Sequence, residues 1–480
     1  MPKKSNIPIL FIIANLLLYG SFSIAVVYGN FYIGLLGTFL AAIIITNIET
    51  FKSYIGISIV MVLCLQNFIV GVFGKLGGQF SSLSFMTQIP FLFLAFIFLS
   101  LFIQKKIKID KLYKPMFLLA LIILFAVING GGISNILVQV RNLIVFFLAF
   151  EVFSYCGNNE YDFKIFCNQF LSLGVFMFII ALILYIGGFS LYEKLGIANV
   201  YTAKGLPGEG VYFLPPRFTT EIFNIPITRM GGLYYEPVTL SYFFSAEFIG
   251  AIILPWTKDL SKKLVLSMVF GVALLLTGGK GGMLISVALI FAYICTKIGS
   301  SNISPIKIWF ILVFTVFIFT LFSEFYASNY AGPAGAHFTT ITDTWSVIKQ
   351  SPLGHGLAQG GFNDNELSFD NQMATGAESA LMSIGYQLGI PGMGILGLAF
   401  VTMTNQVMGF SYRVNRLSNS YYYMIAFIPI VLFGTSVFQL NTFTPQAIVP
   451  FMALLSGAFT TPNNSQIKGL SNMNVQKYKF

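Results

Sequence analysis

Apolar runs of roughly 15 to 25 residues follow one another along almost the whole chain, separated by short clusters of charge. A helix needs about 20 apolar residues to cross a bilayer. The runs near 7–28, 31–48, 54–73, 89–104, 115–129, 136–156, 167–188, 233–255, 264–278, 281–297, 306–325, 379–404, 421–438 and 445–460 therefore predict about fourteen spans, in the range 12–14. Hydrophobic residues make up 56% of the 480 and charged residues only 9%. That leaves too little polar surface to wrap a water-soluble core. The predicted class is all-α, a polytopic transmembrane helical bundle forming one membrane domain over 1–480. The first run continues too far, and lacks the small-residue cleavage site, expected of a signal peptide, so it is read as a span.

The net charge of +10 is organised by topology. With Lys3 and Lys4 in the cytoplasm, the even-numbered junctions hold Lys52, then Lys105, Lys106, Lys108, Lys111 and Lys114, then Lys164, Lys258, Lys262 and Lys263, Lys297 and Lys307, and Arg413 and Arg416; the tail adds Lys468, Lys477 and Lys479. Basic loops stay inside, so both termini are expected in the cytoplasm. This clustering argues against a nucleic-acid partner. Two long segments, 189–232 and 326–378, then fall outside as large extracytoplasmic loops. Long loops in membrane proteins are commonly functional.

Positive charge on the outer side opposes the topological bias and is costly near lipid, which makes each such residue a functional candidate. Arg229 ends the first long loop in RMGGLYYEP, Lys280 sits in the short turn TGGKGG, and Arg141 lies just inside the outer end of its span. Arg217 stands in the loop itself. Cations at headgroup depth suit a lipid diphosphate: Arg through its planar fork, Lys as a compact charge. For Arg141 the competing reading is an ion pair with Glu247. The four glycines around Lys280 either let backbone N–H groups approach an anion or let two helices pack tightly. The turn lacks the GxxxxGK[ST] spacing of a P-loop.

Acid–base candidates are Glu236, seven residues after Arg229 and so on nearly the same face if both are helical; Glu378, at the entry to the span at 379–404; and His355, in SPLGHGLAQGG. His337 is the other histidine. Neither a His/Cys cluster for zinc nor a convincing DxD-type pair is present, Asp364 and Glu366 reading as a solvated turn, so no metal and no cofactor are expected. Cys64, Cys156, Cys167 and Cys295 read as thiols filling the core. No repeat of 20–50 residues and no inverted halves are evident.

The order RMGGLYYEP, span, basic patch, span, TGGKGGMLIS resembles the core of the O-antigen ligase/polymerase membrane family. Arg229, Gly232 and Pro237 match the first part of its pattern; Thr277, Lys280 and Gly281 match the second, with Lys for the usual Arg. Trp345, Pro352, Leu353, Gly354 and Gly356 resemble a later segment. ESALMSIGYQLGIPGMGIL resembles another, with Glu378 near the family's usual His. The resemblance covers about 229–400. It implies a GT-C-like glycosyltransferase, a Wzy-type polymerase of O-antigen, capsule or exopolysaccharide, in the bacterial cytoplasmic (inner) membrane. Its substrates would be polyprenyl-diphosphate-linked glycans such as undecaprenyl diphosphate repeat units, presented by membrane lipid, with flippase and chain-length regulator proteins as partners. An O-antigen ligase acting on lipopolysaccharide, or a flippase of lipid-linked sugar, are the alternatives. Catalytic roles are expected for Glu378, His355 and Glu236, and diphosphate binding for Arg229, Lys280, Arg217 and Arg141. Tyr201, Tyr212, Tyr234, Tyr235 and Trp345 are candidate glycan-stacking surfaces, or interfacial anchors.

Overall fold

A computed structural model describes residues 9–47, 52–77, 83–107, 113–128, 130–157, 160–203, 218–222, 225–298, 333–360, 379–413 and 420–455. The expected span at 306–325, Arg217, Tyr212, Glu378 and the Asp364–Glu366 pair lie outside these residues.

The apolar runs fold as helices: α1 (Ile9–Tyr28), α2 (Phe31–Thr46), α3 (Lys52–Gly77), α4 (Leu83–Met86), α5 (Ile89–Ile103), α6 (Tyr113–Ile128), α7 (Ile133–Cys156), α8 (Glu160–Lys194) and α9 (Ile197–Ala203). After a hairpin of β1 (Thr219–Ile222) and β2 (Ile225–Thr228) come α10 (Pro237–Ile253), α11 (Leu260–Thr277), α12 (Lys280–Ile298), α13 (Pro333–Gln350), α14 (Ala380–Arg413), α15 (Ser420–Thr435) and α16 (Pro445–Leu455). Among the described residues, six helices are long and apolar enough to cross a membrane: α1, α3, α7, α8, α11 and α14. Seven more are apolar but only 10–17 residues long. The molecule is thus nearly all helical and polytopic.

The bundle is built for lipid. Leu16, Leu36, Phe117, Leu124, Ile183, Leu264, Met268 and Val287 stand exposed on its flanks. In water such surfaces would drive association. The interior is formed by α3, α7, α10, α15 and α16. Every residue of α16 is buried; apart from Gln446, whose amide donates to Leu63 O, the helix is apolar.

Hydrogen bonds identify the two ends. At one end Lys106 Nζ donates to Thr46 O (3.1 Å) and Lys52 lies over the Tyr155 ring. At the other, Gly71 on α3 meets Gly196 so closely that a Cβ on Gly196 would stand 2.1 Å from Gly71 O. Asn199 Nδ2 donates to the same carbonyl (3.2 Å), docking α9 on α3. Part of the first expected loop is therefore helical, since α8 runs on to Lys194 and α9 follows. The antiparallel pairing of Thr219 with Thr228 and Ile222 with Ile225 was not anticipated in an all-α chain.

Two helices break on glycine, α8 at Gly188 (φ 66°) and α14 at Gly389 (φ 69°). The break in α14 has a specific repair. Pro391 has no N–H, so Gln387 O lacks its usual donor four residues on; Gly356 N supplies it (3.1 Å). Ile390 N turns away to Pro352 O (2.9 Å), and Tyr386 O accepts from His355 N instead (2.9 Å). Broken backbone at membrane depth is tolerated where such partners exist.

Candidate functional site

The chain from Arg229 to Glu236 is not helical, which corrects the same-face argument. It leaves β2, makes a short 3-10 turn at Gly232–Tyr234, and passes through Tyr235 in the left-handed region (φ 51°). Glu236 is the extended N-cap of α10, and Pro237 takes the first helical position, where its missing N–H is harmless. The segment is held on both sides. Cys64 Sγ shares a hydrogen bond with Tyr234 OH (3.1 Å), and Asn67 Nδ2 donates to Tyr234 O. Tyr201 OH donates to Tyr235 O (2.6 Å), and Tyr235 OH to Leu195 O (3.0 Å). Tyr201, Tyr234 and Tyr235 are all buried. They clamp the backbone and offer no ring to a glycan, which removes the stacking alternative for these three. Trp345 on α13 is 38% exposed, with Lys349 Nζ 5.8 Å above its ring.

Arg229 and Lys280 come together across the α11–α12 turn. Arg229 is buried to 9% exposure, and its Nε donates to Thr277 O (2.8 Å), the last residue of α11. A cation there opposes the negative end of the helix. Met230 N donates to Leu276 O (2.9 Å), zipping the two segments. Gly278 closes α11 in the left-handed region (φ 56°), and Lys280, exposed, opens α12 two residues later.

The glycines of TGGKGG serve close packing. A Cβ on Gly279 would stand 2.2 Å from Ser241 Oγ, and one on Gly282 2.3 Å from Ser241 O. One on Gly281 would stand 2.7 Å from Tyr242 OH. The bare backbone thus presses α12 onto α10 and brings Lys280 to the end where Glu236 lies. Ser245 and Ser286 share a hydrogen bond across the same interface (2.8 Å).

Glu236 is 7% exposed, and both its oxygens are engaged. Thr239 Oγ1 donates to Oε2 (2.9 Å) and Asn441 Nδ2 to Oε1 (3.1 Å). Asn441 belongs to the turn between α15 and α16, an uncharged segment that no charge or motif marks as functional. In that turn Thr442 Oγ1 bonds Tyr242 OH (3.0 Å), and Gln439 lies beside Gly281.

Arg141 is tied elsewhere. Its Nη1 donates to Gln88 Oε1 (2.9 Å), and Nε and Nη2 donate to Asn142 Oδ1 (3.1 and 2.9 Å). The alternative pairing with Glu247 is overturned: both Glu247 oxygens are buried with no hydrogen-bond partner among the described residues. Its carboxyl instead rests on α8, where a Cβ on Gly174 would stand 2.5 Å from Cδ.

His355 is half-buried, its ring stacked on Tyr386 with centroids 4.2 Å apart. Nδ1 lies 3.2 Å from Tyr386 O. A carbonyl only accepts, so this bond places the proton on Nδ1 and leaves Nε2 as the basic nitrogen. Ala358 N donates to Gln387 Oε1 (2.8 Å), and Leu357 N to Ala126 O (2.9 Å), fixing the histidine turn against α14 and the end of α6. Ser379, next to Glu378 in sequence, donates through Oγ to Ser436 O (3.2 Å), three residues before Gln439. The first half of α14 thereby joins the histidine turn to the Gln439–Asn441 turn.

No group of three or more metal-ligating side chains occurs among the described residues. Cys64, Cys156 and Cys167 are buried free thiols. Comparison with family models and with curated proteins returns no match for this chain.

Proposed function

We propose that this chain is a membrane glycosyltransferase of the O-antigen ligase/polymerase type, a Wzy-like polymerase with about fourteen crossings and both termini in the cytoplasm. It joins polyprenyl-diphosphate-linked oligosaccharide repeat units at the outer face of the bacterial cytoplasmic membrane. One observation carries the reading. Arg229 and Glu236 bracket the segment that enters α10, Lys280 opens α12 some forty residues later, and the α10–α11–α12 junction gathers them at one end of a lipid-facing bundle.

In this reading Arg229 and Lys280 hold the diphosphate of the donor and stabilise the charge that grows as it leaves. The acceptor hydroxyl oxygen attacks the anomeric carbon, and the bond from that carbon to the diphosphate oxygen breaks. The hydroxyl proton passes to Glu236 or to His355 Nε2. Glu378, near the position of the family's usual His, serves as a further acid–base candidate, and Arg217, from its place in the first long loop, as a further diphosphate ligand. Arg141, bound to two amide oxygens, acts at most as a more distant cation.

A second reading, a transporter of lipid-linked sugar, is favoured by Glu247. Intramembrane carboxylates often mark a transport path.

The deciding experiment places purified protein in liposomes with a lipid-diphosphate repeat unit as sole substrate. A ladder of longer glycans is expected, lost in Arg229→Ala and Lys280→Ala while insertion is retained. Absence of a ladder with proven substrate refutes the polymerase. Transfer only to a lipid A core acceptor favours a ligase, and movement of the lipid between leaflets without transfer favours the transporter.

A further inference from the structure

The turn between α15 and α16 forms a third wall of the site and contributes chemistry that the cations and the carboxylate lack. A carboxylate is an acceptor only, and ammonium and guanidinium groups are donors only; an amide is both. Gln439 and Asn441 bring two amides to the junction of α10 and α12. Both are half-buried. The Gln439 amide makes no hydrogen bond to any described residue, while its Cγ lies 3.1 Å from the point where a Cβ on Gly281 would stand, beside Lys280. Asn441 uses one N–H on Glu236 Oε1. The rest of the turn is fixed: Thr444 Oγ1 donates to Asn441 O (2.8 Å) and Thr442 bonds Tyr242 OH, while Gln446 in the first turn of α16 donates through Nε2 to Leu63 O (3.0 Å).

We propose that this turn is the carbohydrate-reading wall of the site, with Gln439 hydrogen-bonding hydroxyls of the sugar nearest the diphosphate and Asn441 positioning Glu236. The inference rests on the polymerase reading and adds to it the residues that recognise the sugar. Between an exposed ammonium and a carboxylate, paired amides match the mixed donor and acceptor demands of a polyol. A lipid tail has no use for them, and a further phosphate would meet the Glu236 charge. A site that hydrogen-bonds a substrate hydroxyl discriminates strongly against a ligand lacking it.

The test compares two probes on full-length protein in nanodiscs: polyprenyl diphosphate without sugar, and the same lipid bearing the oligosaccharide repeat unit. Wild type is expected to prefer the sugar-bearing lipid by about tenfold or more, the worth of one or two hydrogen bonds. In Gln439→Ala, and in the bulkier Gln439→Leu, that preference is expected to collapse to near unity. A preference unchanged in both variants overturns the sugar-reading role of Gln439. Asn441→Asp places an acceptor against Glu236, and is expected to lower the elongation rate at saturating substrate about tenfold or more with KM nearly constant. Asn441→Gln, which keeps the donor, is expected to recover part of that rate. Equal loss in the two Asn441 variants, or a change confined to KM, overturns the positioning role. If wild type binds neither probe and makes no ladder, the polymerase reading falls and this inference falls with it; a wild-type ladder with indifferent Gln439 and Asn441 variants removes this inference alone.

Discussion

Gly389→Ala tests the broken span most directly. Gly389 has φ 69° and ψ −171°, a region essentially closed to residues with a side chain. The strain alone is about 1–3 kcal/mol. The new Cβ would also stand 2.2 Å from Pro352 O and 2.8 Å from Gly354 N, both backbone atoms that cannot rotate aside. The histidine turn must then move, and with it four bonds: Ile390 N to Pro352 O, His355 N to Tyr386 O, Gly356 N to Gln387 O, and Ala358 N to Gln387 Oε1. At about 1 kcal/mol for each bond, the combined loss is of order 5 kcal/mol. The assay is unfolding in mixed micelles of increasing SDS content, followed by tryptophan fluorescence. Gly394→Ala is the internal control, because a Cβ on Gly394 meets nothing within 4 Å. That variant is expected to be neutral or more stable by up to about 1 kcal/mol, as alanine favours helix. A Gly389→Ala protein within about 1 kcal/mol of its parent would refute the account of how the break is repaired.

Gly174→Ala is expected to destabilise through collision with the Glu247 carboxyl and, at 2.8 Å, with Phe270 Cζ; adding Glu247→Ala should recover only the carboxyl's share, with a coupling of about 1–3 kcal/mol in a double-mutant cycle, and additive losses would contradict the packing described. Glu236→Gln presents an amide where Asn441 and Thr239 both donate, and elongation is expected to fall roughly a hundredfold or more with a stability loss of no more than about 1–3 kcal/mol; retained activity would remove Glu236 from the chemistry. Arg229→Lys removes the Nε donor to Thr277 O, and is expected to cost about 1.5–3 kcal/mol in the same micelle titration; equal stability would show that the bond contributes little.

The helices of the described residues were legible because length and hydropathy decide them, and the contact of Arg229 with the turn that carries Lys280 pairs two residues the charge pattern had singled out. The reason for their neighbourhood was not legible. It lies in a non-helical stretch from Arg229 to Glu236, closed by a left-handed Tyr235 that propensity does not mark. Tyr234 and Tyr235 look alike in sequence whether they face a glycan or clamp a backbone, and partners as distant as Cys64 and Leu195 decide between the two. Glu247 and Arg141 were a reasonable pair by charge; Gln88 and Asn142 took the arginine, and neutral amides leave no trace in a charge pattern. The one overlooked signal was the uncharged polar run Gln439, Asn441, Thr442, Thr444 and Gln446 between two apolar segments. Such density of amides and hydroxyls exceeds what a plain interhelical turn requires.

The burial of α16 has a consequence for biogenesis. This helix is enclosed by α3, α7, α10 and α15, yet it is translated after all of them. The axis that they surround can therefore be filled only once the ribosome has delivered Pro445–Leu455. Because Asn441, which bonds Glu236, lies just before this helix in the chain, filling of the core and completion of the Glu236 site depend on the same late-made segment.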